Sequence, residues 1–270
     1  MNDGEPLARL LDALDPWRDT LVVVGGWAHR LHRFVPGVQI PRYEPLLTKD
    51  ADIAFSTVSA PTGDLAGALK HSGFDEELSG DHEPPVTRYR LGKDLGGFHA
   101  EFLAPLFGDG IRRDGTEDAT VREAGVTAQK LRYLDLLLIE PISVDLSSAS
   151  GIPTQKAMSV RVANPVTFIA QKLLIRKRRM PNKQAQDILY LHDTLELFSG
   201  EIEALRAMWT ERLSPMINPS IVKQIEGLSQ SQFARTTDAI RNAALIAPGR
   251  GLVPENLRAA CQYGLSEIFG

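Results

Sequence analysis

The sequence predicts an α+β fold, with a mixed β-sheet domain first along the chain and an all-helical domain after it. Two observations lead to this expectation. Short apolar and alternating segments, typical of strands, lie before residue 163, whereas apolar residues recur at helical spacing from Asn164-Pro165 onward. We therefore expect domains over residues 1–163 and 164–270, since 270 residues suffice for two modest cores.

The composition is that of an ordinary soluble globular protein, with 43% apolar and 24% charged residues. The net charge of -4 argues against a protein that coats nucleic acid non-specifically, so any such contact would need a local basic patch. Cys261 is the single cysteine, which excludes an intrachain disulfide and a multi-cysteine zinc site. Composition therefore leaves enzymatic and binding functions open.

The N-terminal stretch MNDGEPLARLLDALDPW is acidic and amphipathic and lacks the basic and apolar regions of a secretory signal. No apolar run in the sequence reaches the length needed to span a bilayer. We expect a cytoplasmic protein with no membrane partner.

The first elements are a helix over residues 6–15, ended by Pro16, and an apolar strand, Leu21 to Val24. Gly25-Gly26 then predicts a tight turn into a helix over residues 27–34. The backbone N–H groups at that helix start are suited to hold phosphate. His29 and His32 share a helix face without a third metal ligand, so we expect them at the surface or facing the phosphate.

Two carboxylates lie on the next strand, within LLTKDADIAF. Asp50 and Asp52 are two positions apart, so both project from the same face of the strand. Adjacent acids repel, and beside a glycine turn this arrangement suits a divalent cation that also binds a polyphosphate. The alternative is a solvated edge strand next to an ordinary turn, but the combination of both features favours the cation site.

A third acid, Glu101, lies in a predicted hairpin formed by residues 86–91 and 98–103. An acid in an apolar alternating strand needs a partner, and a cation shared with the first two acids would provide one. Asp145 in SVDLS is the alternative third acid, although Glu101 is closer in sequence and lies in the clearer hairpin. His99, on the same face as Glu101, is interpreted as a supporting or solvent-facing residue.

Two further segments of the first domain are interpreted by composition and period. Residues 74–85, rich in acids, are expected to be an exposed turn, and residues 126–138 to begin as a helix. Residues 151–163 resemble a hairpin arm that closes the sheet.

The helical domain begins with residues 166–178, where Lys172 lies within the apolar part of a helix. Basic residues cluster from Arg176 to Lys183, either as a solvated helix end or as the local positive patch that the net charge conceals. Asp187 lies one turn into the following helix.

These motifs resemble the nucleotidyltransferase superfamily with the DNA polymerase β-like fold. The superfamily resemblance is carried by VVVGGWAHRL, the DAD strand and AEFLAPL. More specifically, EFLAPL, VTAQKLRYLDLLL and ANPVTFIAQKLLIRKRR followed by KQAQDILYL are similar to stand-alone bacterial nucleotidyltransferase-like proteins related to AbiEii-type toxins. The resemblance covers residues 21–195. Trp27 departs from the family, which has a small residue after the glycines.

The resemblance implies roles for seven residues. Mg²⁺ and a nucleoside triphosphate would be bound by Asp50, Asp52 and Glu101, while Gly25 and Gly26 would hold the phosphates. Lys172 would contact phosphate, and Asp187 would support it. It also implies an RNA end, such as that of a tRNA, as acceptor and an antitoxin protein as partner.

The implied reaction is Mg²⁺-dependent transfer of a nucleoside monophosphate from a triphosphate to a hydroxyl group. A nucleic-acid acceptor fits the basic cluster after Lys172, whereas a small antibiotic-type acceptor would fit the acids that follow Glu201. A third possibility is a catalytically silent protein that binds nucleotide or RNA. The sequence leaves the base and the acceptor open.

Overall fold

The computed structural model describes residues 4–56, 60–92, 97–112, 115–147 and 150–270. The chain divides into two compact units: Met1–Phe34 with Leu47–Ala163, and Val35–Leu46 with Asn164–Gly270. The first unit contains the sheet and the second is helical, so the α+β class expected from the sequence is confirmed. The segment Val35–Leu46 packs with the second unit, although the chain on both sides of it belongs to the first.

The strands described in the first unit form one mixed sheet of nine. They are β1 (Leu21–Val24), β2 (Asp50–Phe55), β3 (Phe74–Ser79), β4 (Val86–Leu91), β5 (Phe98–Pro105), β6 (Thr120–Glu123), β7 (Val126–Leu131), β8 (Ile142–Leu146) and β9 (Met158–Val162). Seven of them follow the order β3-β4-β5-β2-β1-β9-β8, while β7 pairs with β5 and β6. The centre of the sheet is thus formed by β2, with antiparallel β1 on one side and parallel β5 on the other.

Four α-helices of the first unit are described: α1 (Gly4–Leu14), α2 (Gly25–Leu31), α3 (Leu65–His71) and α4 (Leu134–Leu137). Leu11 and Leu14 of α1 line an apolar cavity together with Val23 and Ile53 of the sheet. Because Ile53 alternates with Asp52 along β2, α1 covers the sheet face opposite the carboxylates. The apolar core therefore lies behind the two acids.

Two sequence expectations for the first unit are wrong. Residues 74–79 form the edge strand β3 and not a turn, since their backbone pairs with β4 along its whole length. Residues 126–131 form β7 and not a helix, and only the short α4 follows. In both segments sheet pairing overrides a weak local preference. The hairpin of β4 and β5 is confirmed by the pairing of Leu91 with Phe98, and its turn residues 93–96 lie outside the described residues.

The second unit is helical over its described length after residue 164. Its α-helices are α5 (Pro165–Ile175), α6 (Pro181–Leu197), α7 (Ile202–Ala207), α8 (Pro219–Ser231), α9 (Asp238–Ile246) and α10 (Pro254–Phe269), with a π-helical stretch at Met208–Leu213. Asn164 caps α5 by accepting a hydrogen bond from the Thr167 N–H, and Pro165 occupies the first turn. None of the helices in the described residues is long and apolar enough to cross a membrane.

The segment Val35–Leu46 is fastened to α6 by side chains. The hydroxyl of Tyr43 donates to Asp193 Oδ1 at 3.1 Å and also contacts Glu196. Arg250 donates to Asp193 Oδ2 and to the backbone oxygen of Glu44, both at 2.7 Å, and its guanidinium lies 3.8 Å from the centre of the Tyr43 ring. This charged cluster holds the connector between α2 and β2 on the helical unit.

Candidate functional site

The structure brings the three predicted acids together on one face of the sheet. Asp50 and Asp52 lie on β2, and Asp52 pairs directly with Glu101 of the parallel strand β5. All three residues are half-buried, whereas Ala51 and Ile53 between and beside them are buried in the core. The alternation read from the sequence therefore places these carboxylates side by side, as expected.

Gly25 lies against the carboxylate of Asp52. Val24 pairs with Asp52 across β1 and β2, so the glycine that follows reaches the same edge of the strand. A Cβ atom at Gly25 would come within 2.0 Å of Asp52 Oδ2, and the φ angle of Gly25 is +63°. Only a residue without a side chain fits this position, since both the space and the backbone conformation exclude a Cβ.

The helix after the glycines differs from the sequence expectation. It begins at Gly25 itself, and Trp27 is 2% exposed with its ring packed edge-on against Phe98 at 6.3 Å. Trp27 is thus a core residue, which explains why a large aromatic side chain is tolerated there.

His29 and His32 are buried, so their expected placement at the surface or facing phosphate is wrong. A ring nitrogen of His32 lies 2.8 Å from the backbone oxygen of Ala163, and burial lowers the pKa of His32 to about 4. The short helix turns this face inward against the sheet, and single-sequence spacing does not show which face of so short a helix is covered.

Positive groups surround Glu101. His99 Nε2 lies 3.6 Å and Arg88 Nε 2.6 Å from Glu101 Oε1. The neighbouring His99 imidazole and then the Arg88 guanidinium lower the pKa of Glu101, against the opposing effects of burial and of the Asp50 charge. Glu101 reciprocally raises the pKa of His99. Glu101 is therefore ionised at neutral pH, and His99 is part of its immediate surroundings.

Thr48 fixes the first acid, since its hydroxyl donates to Asp50 Oδ1 at 2.6 Å. The alternative third acid, Asp145, lies on β8, which is separated from β2 by β1 and β9 in the sheet order. The geometry therefore groups Glu101, and not Asp145, with the two aspartates.

The two predicted residues of the second unit form a buried ion pair. Lys172 Nζ donates to Asp187 Oδ1 at 2.8 Å, and the side chains are 6% and 2% exposed. The ammonium group also lies over the rings of Phe168 and Tyr190, at 5.4 and 5.3 Å from their centres. The positive charge of Lys172 is thus stabilised inside the helical unit by the Asp187 carboxylate and the two aromatic rings.

Arg179 is a residue that sequence reasoning missed. Its Nε donates to Asp187 Oδ2 at 3.1 Å, so one buried carboxylate holds both Lys172 and Arg179. The Arg179 side chain is 39% exposed, and its terminal nitrogens bond to none of the described residues. Within the run RKRR nothing in the sequence distinguishes this arginine from its neighbours. The hydrogen bond to Asp187 therefore orients the Arg179 guanidinium.

A second group of possible metal ligands lies on α6. His192 Nδ1, Asp193 and Glu196 offer ligand atoms within 4.8 Å of one another, which is close enough for one divalent cation. Tyr43 and Arg250 already bond to these carboxylates, as described above for the connector. We therefore assign this cluster to fastening the connector.

The comparisons with known proteins identify a family. A family model described as nucleotidyltransferase matches residues 3–214, which is most of the chain. No curated protein matches the chain. The chain belongs to the nucleotidyltransferase family.

Proposed function

We propose that this protein is a Mg²⁺-dependent nucleotidyltransferase that moves a nucleoside monophosphate from a nucleoside triphosphate to a hydroxyl acceptor. One observation carries the proposal: Asp50, Asp52 and Glu101 lie side by side on adjacent strands, with the backbone of Gly25 against Asp52. The family match supports nucleotidyl transfer as the reaction class.

The donor set fits a magnesium ion. Carboxylate oxygens are the ligands that Mg²⁺ prefers. Gly25 has no side chain that would cover Asp52 Oδ2. Asp50 and Asp52 would hold the ion, with Glu101 beside them. When bound, Mg²⁺ supplies Lewis-acid polarisation of the triphosphate oxygens.

The protein's own groups would orient the reactants. The Thr48 hydroxyl holds Asp50 in one orientation. Glu101 is kept ionised by His99 and Arg88, so it can accept a hydrogen bond from the attacking hydroxyl group. A carboxylate of lowered pKa is a weak base, so its main contribution is to position that hydroxyl group. Backbone N–H groups after Gly25 and Gly26 would bind the triphosphate.

The buried pair of the second unit would contribute to nucleotide binding through Arg179. Lys172 and Asp187 fix the guanidinium, whose terminal nitrogens then donate two parallel hydrogen bonds to a phosphate group. Lys172 and Asp187 are in this view positioning residues, because both are too buried to present their charges at the surface.

We propose an RNA end, such as that of a tRNA, as the acceptor. Lys177 and Arg178 are exposed beside Arg179, and such a basic surface attracts a phosphate backbone and repels a cationic antibiotic. An antitoxin-type partner protein is proposed from the family resemblance alone, and co-purification from the source cell with a tagged copy would test it.

A transfer assay tests the function. Wild-type protein is incubated with Mg²⁺, total tRNA and each of the four α-labelled nucleoside triphosphates in turn. We expect label in tRNA with wild type and with Asp145→Asn, which removes an exposed acid of β8, and none with Asp50→Asn or Asp52→Asn. Retained transfer by both aspartate variants would overturn the proposal. Calorimetric binding of a triphosphate without transfer to tRNA or to small hydroxylated acceptors would instead identify a silent binding protein.

A further inference from the structure

The sheet face that carries the carboxylates becomes basic on β4. Residues directly opposite each other on neighbouring strands project from the same face of a sheet. Glu101 of β5 lies opposite Asp52 of β2 on one side and opposite Arg88 of β4 on the other. Arg90, two positions further along β4, shares that face. A molecule that reaches Glu101 from the side of β4 therefore meets two arginines.

Arg88 keeps part of its guanidinium available to a ligand. Its Nε lies 2.6 Å from Glu101 Oε1, and its side chain is 44% exposed. Within the described part of the chain, its two terminal nitrogens donate no hydrogen bond. Arg90 differs, because its terminal Nη2 already lies 3.1 Å from Glu77 Oε2. Arg88 is thus the arginine that contacts a carboxylate of the site and still offers donors.

The remaining donors of Arg88 match a phosphate group. A guanidinium presents parallel N–H groups in a planar fork, which binds two phosphate oxygens at once. A phosphate close to three carboxylates is repelled unless a positive group lies near it. Arg88 supplies such a charge permanently, because a guanidinium keeps its proton at any relevant pH. The edge of the cluster at Arg88 is therefore suited to an anion, although the cluster itself is acidic.

The sheet order indicates which phosphate Arg88 would bind. The triphosphate would be held by the backbone after Gly25 and Gly26, which follow β1. In the order β4-β5-β2-β1, three strand spacings of about 4.8 Å separate Arg88 from that end of the site, a distance on the order of 14 Å. Arg88 instead adjoins Glu101, beside which the attacking hydroxyl group would lie. In an RNA end, that hydroxyl group and the nearest phosphate belong to one nucleotide and are separated only by its ribose.

We propose that Arg88 binds the phosphate group that precedes the attacking hydroxyl group in the acceptor, and so selects a nucleotide end over a hydroxyl compound without phosphate. The inference rests on the proposed function, since it takes Glu101 as the residue beside the attacking hydroxyl group. It adds a residue for acceptor recognition on the sheet, and it gives the chemical class of acceptor that the carboxylate site takes.

Neutralising a single phosphate of the RNA tests the contact. A synthetic hairpin RNA that copies a tRNA acceptor end is prepared with a phosphodiester or with a neutral methylphosphonate at its last linkage. Binding is measured by fluorescence anisotropy with Mg²⁺ and without triphosphate, so no transfer takes place. For wild type and for the matched control Arg90→Ala, we expect the neutral linkage to weaken binding about tenfold. Arg88→Ala should bind the unmodified RNA about tenfold more weakly than wild type does, and it should not distinguish the two RNAs.

Two other roles of Arg88 give different results. If Arg88 merely orients Glu101, Arg88→Ala loses affinity for both RNAs by the same factor, which would overturn the inference. The inference is also overturned if Arg88→Ala weakens binding of a triphosphate and leaves RNA binding unchanged, because Arg88 would then contact the donor. Arg88→Gln keeps side-chain donors without the charge, and it repeats the comparison should Arg88→Ala fail to fold.

Transfer of label to the unmodified RNA by the same wild-type protein tests the proposed function separately. Transfer without a phosphate-dependent effect of Arg88 would leave the function intact and overturn the inference. A phosphate-dependent effect of Arg88 without transfer from any of the four triphosphates would overturn the function and leave the contact between Arg88 and phosphate in place.

Discussion

Gly25 touches the carboxylate of Asp52, and this contact joins the first two motifs of the sequence into one site. The two residues are brought together by the antiparallel pairing of β1 with β2, in which Val24 is opposite Asp52. The turn glycine is therefore required for two reasons, its left-handed backbone and the space taken by the Asp52 side chain. Each reason can be tested separately.

Gly25→Ala should abolish binding of Mn²⁺ at the cluster, because the added methyl group occupies the space of Asp52 Oδ2. Backbone strain alone costs about 1–2 kcal/mol in the left-handed region. Gly251→Ala is the matched control, since Gly251 has a φ angle of +61° and open space around its Cβ position. Urea unfolding should show the backbone strain in both variants and a larger loss of stability in Gly25→Ala because of the additional clash, and Mn²⁺ binding should be lost in Gly25→Ala alone. Equal Mn²⁺ binding by the two variants would contradict the role of the contact.

Asp187→Asn should destabilise the protein by about 3–5 kcal/mol, because it leaves the buried Lys172 ammonium without its carboxylate partner. The double variant Lys172→Met/Asp187→Leu removes both charges and should recover much of that loss. Urea unfolding of Lys172→Met, of Asp187→Leu and of the double variant gives the coupling free energy. Additive effects would show that the pair is not coupled.

Arg179→Ala should cost about 0.5–1.5 kcal/mol of stability, since it removes one of the two basic partners of the buried Asp187 carboxylate, and should weaken binding of tripolyphosphate at least tenfold. Tripolyphosphate reports on phosphate recognition without a choice of base. Lys177→Ala removes an exposed charge from the same segment and is expected to weaken binding far less. Equal effects of the two variants in calorimetry would indicate a general charge effect and not a fixed guanidinium.

The carboxylate face of the site was predictable from the sequence because it depends on alternation within single strands. Asp50 and Asp52 follow from the period of β2, and Glu101 follows from the hairpin that contains it. The pairing of β2 with β5, which brings the three together, is a long-range contact that only the resemblance implied. Arg88 was not singled out because it lies opposite both Glu77 and Glu101 in the sheet, and only the side-chain geometry shows that it pairs with Glu101.

The unpredicted features all depend on tertiary contacts. His29 of α2 and His32 of the 3-10 turn that follows it are buried in the core, although polar residues of this type are more often found at the surface. Strand β3 carries its acids on a sheet edge, where charged side chains are common, and its composition resembles a turn. The connector Val35–Leu46 lacks regular structure, so no periodicity indicates which unit it joins.

Tyr43→Phe should loosen that connector, because it removes the hydroxyl that donates to Asp193 and Glu196. The backbone N–H of Gln39 donates to the oxygen of Leu197 at 2.8 Å, so its hydrogen exchange reports on the attachment. We expect faster exchange at Gln39 and a loss of about 1–3 kcal/mol in the free energy of unfolding, since the buried Asp193 carboxylate loses a donor. Tyr263→Phe, at a tyrosine that is 66% exposed, is the control and should change neither quantity. Unchanged exchange at Gln39 in Tyr43→Phe would contradict the fastening role.

The stability of the protein should depend on pH through His32. Burial lowers the pKa of His32 in the folded state to about 4, below the value of about 6.5 for an unfolded chain. Between these values the unfolded state binds more protons, so stability rises with pH across this window and is lost as the pH falls from about 6.5 toward 4. The full difference corresponds to about 3 kcal/mol of unfolding free energy, by the linkage of about 1.4 kcal/mol per pKa unit.

His32→Gln cannot titrate, so its stability should change less steeply with pH in this window, while His71→Gln, at an exposed histidine of α3, should keep the wild-type slope. Urea unfolding at half-unit steps from pH 4 to 8 measures the slopes, which are independent of any constant packing cost of the substitution. An unchanged slope in His32→Gln would show that His32 is not the group that couples folding to protons, and its burial against the sheet would then require another explanation.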